Sequence, residues 1–204
     1  DLAEMLEEPR NCLKPEWEWP ERPHRSRVMA TQDEWDKIVS AAYARGLMVG
    51  VEEDQVFCDS RGNKVLNGAG GVKKVKMVGG EERICQRFIS NLIPSNDFQV
   101  HLSGGDKFLP YLGQLSLFQL ADHEVFLVDS EDFSSCFNLF TIPACWRPFM
   151  FFEKTVDGGL LGLTPGTRVY PSMAVVPMGW LNAVSTIQSV VRSWVFDGAE
   201  IPED

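Results

Sequence analysis

At 204 residues the chain has room for one fair-sized domain or two small ones. A hydrophobic share of 44% with 11% aromatics excludes a disordered chain, and no apolar run approaches the roughly eighteen residues of a membrane span. The net charge of −10 argues against non-specific nucleic-acid binding by the whole surface. Residues 1–27 are rich in Pro, Glu and Trp and follow neither a helical nor a strand period, which predicts an extended arm or linker. The first residues carry no initiator Met, basic segment or apolar segment. The expectation is therefore a fragment of an intracellular, non-secreted protein, cytoplasmic or nuclear.

Residues 31–45 carry the clearest helical pattern. Thr31 and Glu34 make a capping box, Gly46 is the stop, and Trp35, Ile38, Val39 and Ala42 form the stripe expected to be buried. Residues 47–92 read as β, with short apolar runs separated by turn clusters at 59–63 and 78–82. Gly68, Gly70 and Gly71 lack the Lys-Ser/Thr of a phosphate loop and the strand–helix context of a dinucleotide fold, so they are expected to serve as turns. A loop is predicted over 94–105. Strands follow at 111–120 and 124–128 around a tight turn at 121–123, then at 146–154 and 169–176. A turn at 177–179 leads into a helix over 181–195, with Leu181, Val184, Ile187, Val191 and Trp194 on one face, and the tail 197–204 is expected to fray.

Five scattered cysteines without a CxxC pair, and three distant histidines, argue against a zinc site and for reduced, mostly buried thiols. The charges are blocked. Residues 61–87 hold seven bases against two acids, whereas 122–132 hold five acids and no Lys or Arg. In the second block the apolar run Val125, Phe126, Leu127 and Val128 delivers Asp129, Glu131 and Asp132. Carboxylates at the end of a buried strand are costly unless a positive partner faces them, and a divalent metal is the usual one. Phosphoryl transfer onto a growing strand uses two such metals about 4 Å apart, together with a cation that holds the triphosphate.

Three blocks, in order, then resemble the fingers and first half of the palm of a reverse transcriptase, the RNA-directed DNA polymerase of retroelements. In 87–96 an Arg opens the block and Asn96 closes it nine residues on. In 132–137 an Asp is followed by three variable residues, the small Cys136 and the aromatic Phe137, with Pro143 beyond. In 177–180 the sequence Pro-Met-Gly-Trp is similar to the family's Pro-Gln-Gly-Trp turn, with Gln188 eight residues after Trp180. Met178 in place of Gln, and Asn182-Ala183-Val184 in place of a small-Ser-Pro stretch, depart from the pattern.

The resemblance, which covers about 56–194, implies an α/β (α+β) fold. It divides into an arm at 1–27, a fingers-like region at 28–104 and a partial antiparallel palm at 105–204. It implies transfer of dNTPs onto a primer–template with Mg2+, or Mn2+, and no membrane partner. Asp132 would ligate metal, with Asp129 the alternative because the apolar run abuts it directly. Arg87 would contact the triphosphate, with Lys74 and Lys76 nearby. Phe137 would exclude a 2′-hydroxyl, and Met178 and Gly179 would line the pocket. The family's paired Asp-Asp hairpin is not found before Asp204, so the isolated chain is expected to be inactive. An RNA-templated RNA polymerase palm, or a non-catalytic retroelement remnant that binds nucleic acid, are the alternatives.

Overall fold

The computed structural model describes residues 2–102, 105–109, 112–127 and 133–199. It begins with helix α1 (Leu2–Glu7), and the segment after it lies against the body instead of standing free. The Lys14 N–H donates to Phe98 O and the Val100 N–H to Cys12 O, both at 2.8 Å. The Trp146 indole N–H reaches Leu6 O at 2.8 Å, and Trp19 packs edge-on against Phe57 and Phe98. The described part of the arm, from residue 2, is therefore docked along 98–100 and 146.

Helix α2 (Gln32–Tyr43) forms where its signals place it. The Thr31 hydroxyl accepts from the Glu34 N–H at 3.3 Å, and the Glu34 carboxylate accepts from the Thr31 N–H at 2.8 Å. That backbone bond, reinforced by the Thr31 hydroxyl, holds the Glu34 carboxyl below its ordinary value. Trp35 and Val39 are fully buried, and Trp35 meets Phe88 and Phe152. Gly46, at φ +71, turns the chain into strand β1 (Met48–Val51).

Two antiparallel sheets follow. An 11-residue ribbon pairs β2 (Gly68–Val78) with β3 (Glu81–Asn91), in register from Gly68↔Asn91 to Val78↔Glu81. Its tip, Gly79 and Gly80 with φ of +63 and +84, has the two left-handed positions that match the twist of a tight hairpin. The short helix α3 (Ile93–Asn96) closes the ribbon. The second sheet has the order β1-β5-β4, in which β4 (Val156–Asp157) and β1 flank β5 (Arg168–Met173). Phe151 bridges to Ser172 and Phe152 to Asn67, so one extended stretch joins the two sheets. The core gathers Trp35, Trp146, Met150, Phe152 and Trp180 between the sheets and α4 (Ala183–Ala199).

Several expectations are corrected. The glycines at 68, 70 and 71 do not turn the chain but open β2. A Cβ on Gly68 would stand 2.5 Å from Arg27 O and 2.8 Å from Arg27 N, so this glycine admits a close backbone neighbour. Neither strand expected at 111–120 and 124–128 forms among the described residues. Leu112–Leu117 is a 3-10 helix and 118–127 is irregular, although the turn at 121–123 is present, with the Glu124 N–H on Ala121 O at 2.9 Å. Val125 is 83% and Leu127 88% exposed, so no buried face fixes a strand there.

The strand expected at 146–154 gives way to the 3-10 helix Ala144–Phe149, because Pro148 has no N–H to give a ladder. In α4 the buried face is Ala183, Ser185, Thr186 and Ile187, while Val184 and Trp194 are exposed. The reason is a close approach: a Cβ on Gly105 would lie 2.5 Å from Ser189 N and 2.6 Å from Ser185 O, which selects the small-residue face. All five thiols are free, but only Cys12 is buried, and burial raises its pKa.

Two measurements test this architecture. Gly68→Ala is expected to cost about 1–3 kcal/mol through overpacking, read as a lower urea midpoint; an unchanged midpoint would refute the close approach. The second concerns Asp59, which accepts from the backbone N–H groups of Arg61 and Asn63 at 2.9 and 2.8 Å and from Asn63 Nδ2 at 2.8 Å. Burial alone would raise this carboxyl, but those hydrogen bonds outweigh it and hold it below its ordinary value. Its stabilisation is then complete above the unfolded value of about 3.9 and is lost as pH falls through the lower folded value. Asp59→Asn should therefore unfold at lower urea at pH 7, with the gap to the parent closing below about pH 4.

Candidate functional site

In an antiparallel pair, residues directly opposite share a face. The ribbon register sets Val72 against Arg87, Lys74 against Cys85 and Lys76 against Arg83. One face of the ribbon thus carries Lys74, Lys76, Arg83 and Arg87. This face forms one wall of a cleft of about 860 Å³, to which Lys74, Lys76, Cys85 and Arg87 contribute. Residues 133–138 and Met178 line it as well, and so do Ile38, Ala41 and Arg45 from α2 and its C-terminal end. Met48 and Met173, partners in the β1–β5 register, line it too, as do Ala42, Leu47 and, from the alternate positions of β3, Gln86, Phe88 and Ser90.

No carboxylate is among the described residues that line this cleft, which has four cations in a chain of net charge −10. The Arg45 guanidinium donates to Ala41 O at 2.9 Å, and Arg87, Lys74 and Lys76 have no ion pair among the described residues. Low-dielectric walls that carry one sign of charge focus the field and concentrate anions. A second cavity, of about 830 Å³ beneath the N-terminal arm, has no such bias. Arg10 and Lys14 there are mixed with Glu8, Glu16, Asp54 and Asp59.

The wall at 133–138 is a tight turn. The Cys136 N–H donates to Phe133 O at 3.2 Å and the Asn138 N–H to Ser135 O at 2.8 Å. Ser135 has φ 58 and ψ 38, and it is the one non-glycine at positive φ among the described residues. Such a conformation costs of the order of 1 kcal/mol and recurs where a turn must aim a side chain. Phe137 leaves this turn half-buried against the core while it lines the cleft.

The turn at 177–180 is held from the other side. Asn96 Nδ2 donates to Gly179 O, and Asn96 Oδ1 accepts from the Leu181 N–H, both at 2.9 Å. Gly179 has φ +104, and a Cβ there would lie 2.8 Å from Ser90 O, so glycine is required by the end of β3. The Trp180 indole N–H donates to Gln99 Oε1 at 2.7 Å, and its ring packs on Trp146 with centroids 4.8 Å apart. Met178 is left projecting at the turn, 43% exposed, on the rim of the cleft.

Of the residues singled out from the sequence, Arg87, Lys74, Lys76, Phe137 and Met178 meet at this cleft. Gly179 supports the adjoining turn without lining it. Asp129 and Asp132 lie outside the described residues. Among the described residues no cluster of three or more His, Cys, Asp or Glu is placed to hold a metal ion. Also among them, no helix is long and apolar enough to cross a membrane. Arg45 and Cys85 escaped the sequence reading. The register counted outward from Gly79 and Gly80 would have placed Cys85 among the cations, but no local signal marks Arg45 as a cleft residue. No protein-family model matches the chain, and no curated protein is significantly similar to it.

Removal of the Asn96 side chain tests the coupling between the end of the ribbon and the turn. Asn96→Ala is expected to cost about 1–2 kcal/mol for the two lost hydrogen bonds. The Leu181 amide should exchange with solvent at least about tenfold faster, in keeping with 1.4 kcal/mol per decade. Unaltered exchange at Leu181 would show that Asn96 does not hold the turn.

Proposed function

We propose that the chain is the fingers and adjoining palm of a reverse-transcriptase-like polymerase, and that its cleft receives a deoxynucleoside triphosphate beside a primer–template. The observation that supports this reading is convergence. Three sequence blocks far apart in the chain, at 87–96, 132–137 and 177–180, send Arg87, Phe137 and Met178 to one cationic cleft.

Each side chain has a task suited to its chemistry. The planar Arg87 guanidinium can take two phosphate oxygens at once, and Lys74 and Lys76 add point charges along the same ribbon face. Phe137, held by the turn that Ser135 enters, presents a ring against the sugar, where a 2′-hydroxyl would meet a wall instead of a partner. Met178 offers polarizable, apolar contact to a base or sugar, but unlike Gln it donates no hydrogen bond.

Asp132 and Asp129 are the residues that would hold magnesium. The donor set suits that ion, since aspartates supply hard oxygens, and residues 133–138, directly after them, line the cleft. When bound, magnesium, or manganese in its place, would neutralise charge on the triphosphate and activate the attacking hydroxyl. The chain's own residues supply the rest: Arg87 and the lysines bind, Phe137 and Met178 orient, and the Asn96-supported turn keeps Met178 at the rim.

Isothermal titration of dATP and ATP, each with magnesium, tests the reading. dATP should bind, and Arg87→Ala should weaken it about 10–100-fold, the range for a charge-assisted phosphate contact. Phe137→Ala should narrow the preference for dATP over ATP. If Arg87→Ala binds dATP as the parent does, the assignment fails; equal affinity of the parent for ATP and dATP would favour an RNA polymerase instead.

A further inference from the structure

Cys85 sits at the centre of the cationic ribbon face. Lys74 is directly across from it, Arg83 and Arg87 are two residues away on either side of the same strand face, and Lys76 is diagonal. Directly opposed Cβ atoms stand about 4.5–5.5 Å apart and diagonal ones somewhat farther, so four cationic residues share one strand face with this thiol. The thiol is free and half-buried, and it lines the cleft. A second free thiol, Cys136, lines the same cleft but is packed against the core. The remaining partly or fully exposed thiols, Cys58 and Cys145, line the other cavity, where charges of both signs are mixed.

We propose that Cys85 is a site of reversible modification by anionic disulfides, of which glutathione disulfide is the representative, and that its modification closes the cleft to polyanions. The cations act by gathering the anionic reagent at the thiol, as a one-signed cleft gathers any anion. In the step itself the Cys85 thiolate attacks one sulfur of the disulfide. A Cys85–glutathione mixed disulfide forms, the reagent's S–S bond breaks, and glutathione leaves as a thiolate that takes up the proton Cys85 released. The adduct places a bulky, negatively charged group between Lys74 and Arg87. A dithiol reductant reverses the exchange. The modification stands on the ribbon geometry alone, while the loss of nucleotide binding also rests on the function proposed above.

The test uses the full 204-residue chain and compares glutathione disulfide with the neutral 2,2′-dithiodipyridine, each thiol being followed by peptide mass spectrometry. Relative to Cys58 and Cys145, Cys85 should react about tenfold faster with the anionic reagent than with the neutral one. That advantage should collapse in about 1 M NaCl, where the screening length falls to about 3 Å, and should shrink in Lys74→Gln. The glutathione-modified chain should lose binding of inorganic tripolyphosphate and regain it with dithiothreitol, whereas Cys85→Ser should bind tripolyphosphate before and after treatment alike. The proposal is overturned if Cys58 or Cys145 outpaces Cys85 with glutathione disulfide, or if the Cys85 advantage is the same in high salt. It is equally overturned if the modified chain binds tripolyphosphate as the parent does. A parent that binds tripolyphosphate but not dATP would instead remove the nucleotide assignment and leave the modification site intact.

Discussion

The side-chain amide of Asn67 is fully buried, and its hydrogen bonds tie together the foot of β2, α3 and the segment 149–151. Nδ2 donates to the carbonyls of Phe149 and Phe151, each at 3.0 Å. Oδ1 accepts from the Ser95 N–H at 3.3 Å and from its hydroxyl at 2.9 Å. The Asn67 backbone also pairs with the same stretch, since its N–H donates to Phe151 O and its carbonyl accepts from the Glu153 N–H. Asn67 stands immediately before β2, and Ser95 lies in α3 just after β3. One amide therefore holds both feet of the ribbon to the segment that bridges the two sheets. An apolar side chain of similar size would leave the Ser95 N–H without its acceptor in a buried place, where an unmet group costs about 1–3 kcal/mol, and would take one of two donors from each of the Phe149 and Phe151 carbonyls.

That anchoring has a consequence for the cleft. Beyond Gly71 the ribbon is largely solvent-exposed, and Val72, Val75 and Ile84 are all more than half exposed. Its packing with the body is concentrated at the base, where Phe88 meets Trp35 and Phe152. The direction of the Lys74, Lys76 and Arg87 face is thus set at its feet, by Asn67, by Ser95 and by the close passage of Arg27 over Gly68. The opposite rim is fixed by Asn96 on the 177–180 turn and by Gln99 on Trp180. Asn96 and Ser95 are neighbours in α3. A single short helix therefore references both the basic wall and the Met178 rim to the same point.

The parts of this arrangement that were legible in the sequence are those written in local chemistry. The capping box at Thr31 and Glu34, the Gly79–Gly80 hairpin and the turn at 177–179 each depend on a few adjacent residues, and each formed where its residues stand. The expectations that failed required knowledge of a neighbour. Residues 112–127 have strand-forming composition, but a strand exists only if another strand accepts its hydrogen bonds. Gly68 reads as a turn residue and Gly105 as the end of a loop, although each marks a place where another backbone passes close by. The apolar stripe of α4 was outweighed by the same effect, because close approach of Gly105 favours Ser185 and Ser189 over bulkier side chains. The cleft follows this division. Arg87, Phe137 and Met178 were marked by motif, whereas Arg45 enters it only through the way α2 packs.

The charge balance of the chain acquires its meaning from the fold. A net charge of −10 spread evenly would repel a triphosphate or a nucleic-acid strand from every direction. Here the described lining of the larger cleft excludes carboxylates and assembles Arg45, Lys74, Lys76 and Arg87, so a chain that is acidic overall carries a cationic opening. At an ionic strength of about 0.15 M the screening length is about 8 Å, so charges farther away than that are largely screened. An anion at the mouth feels the four cations together while most of the distant acids are screened from it. On electrostatic grounds a polyanion is thus disfavoured least at the ribbon face, which suits the proposed triphosphate site.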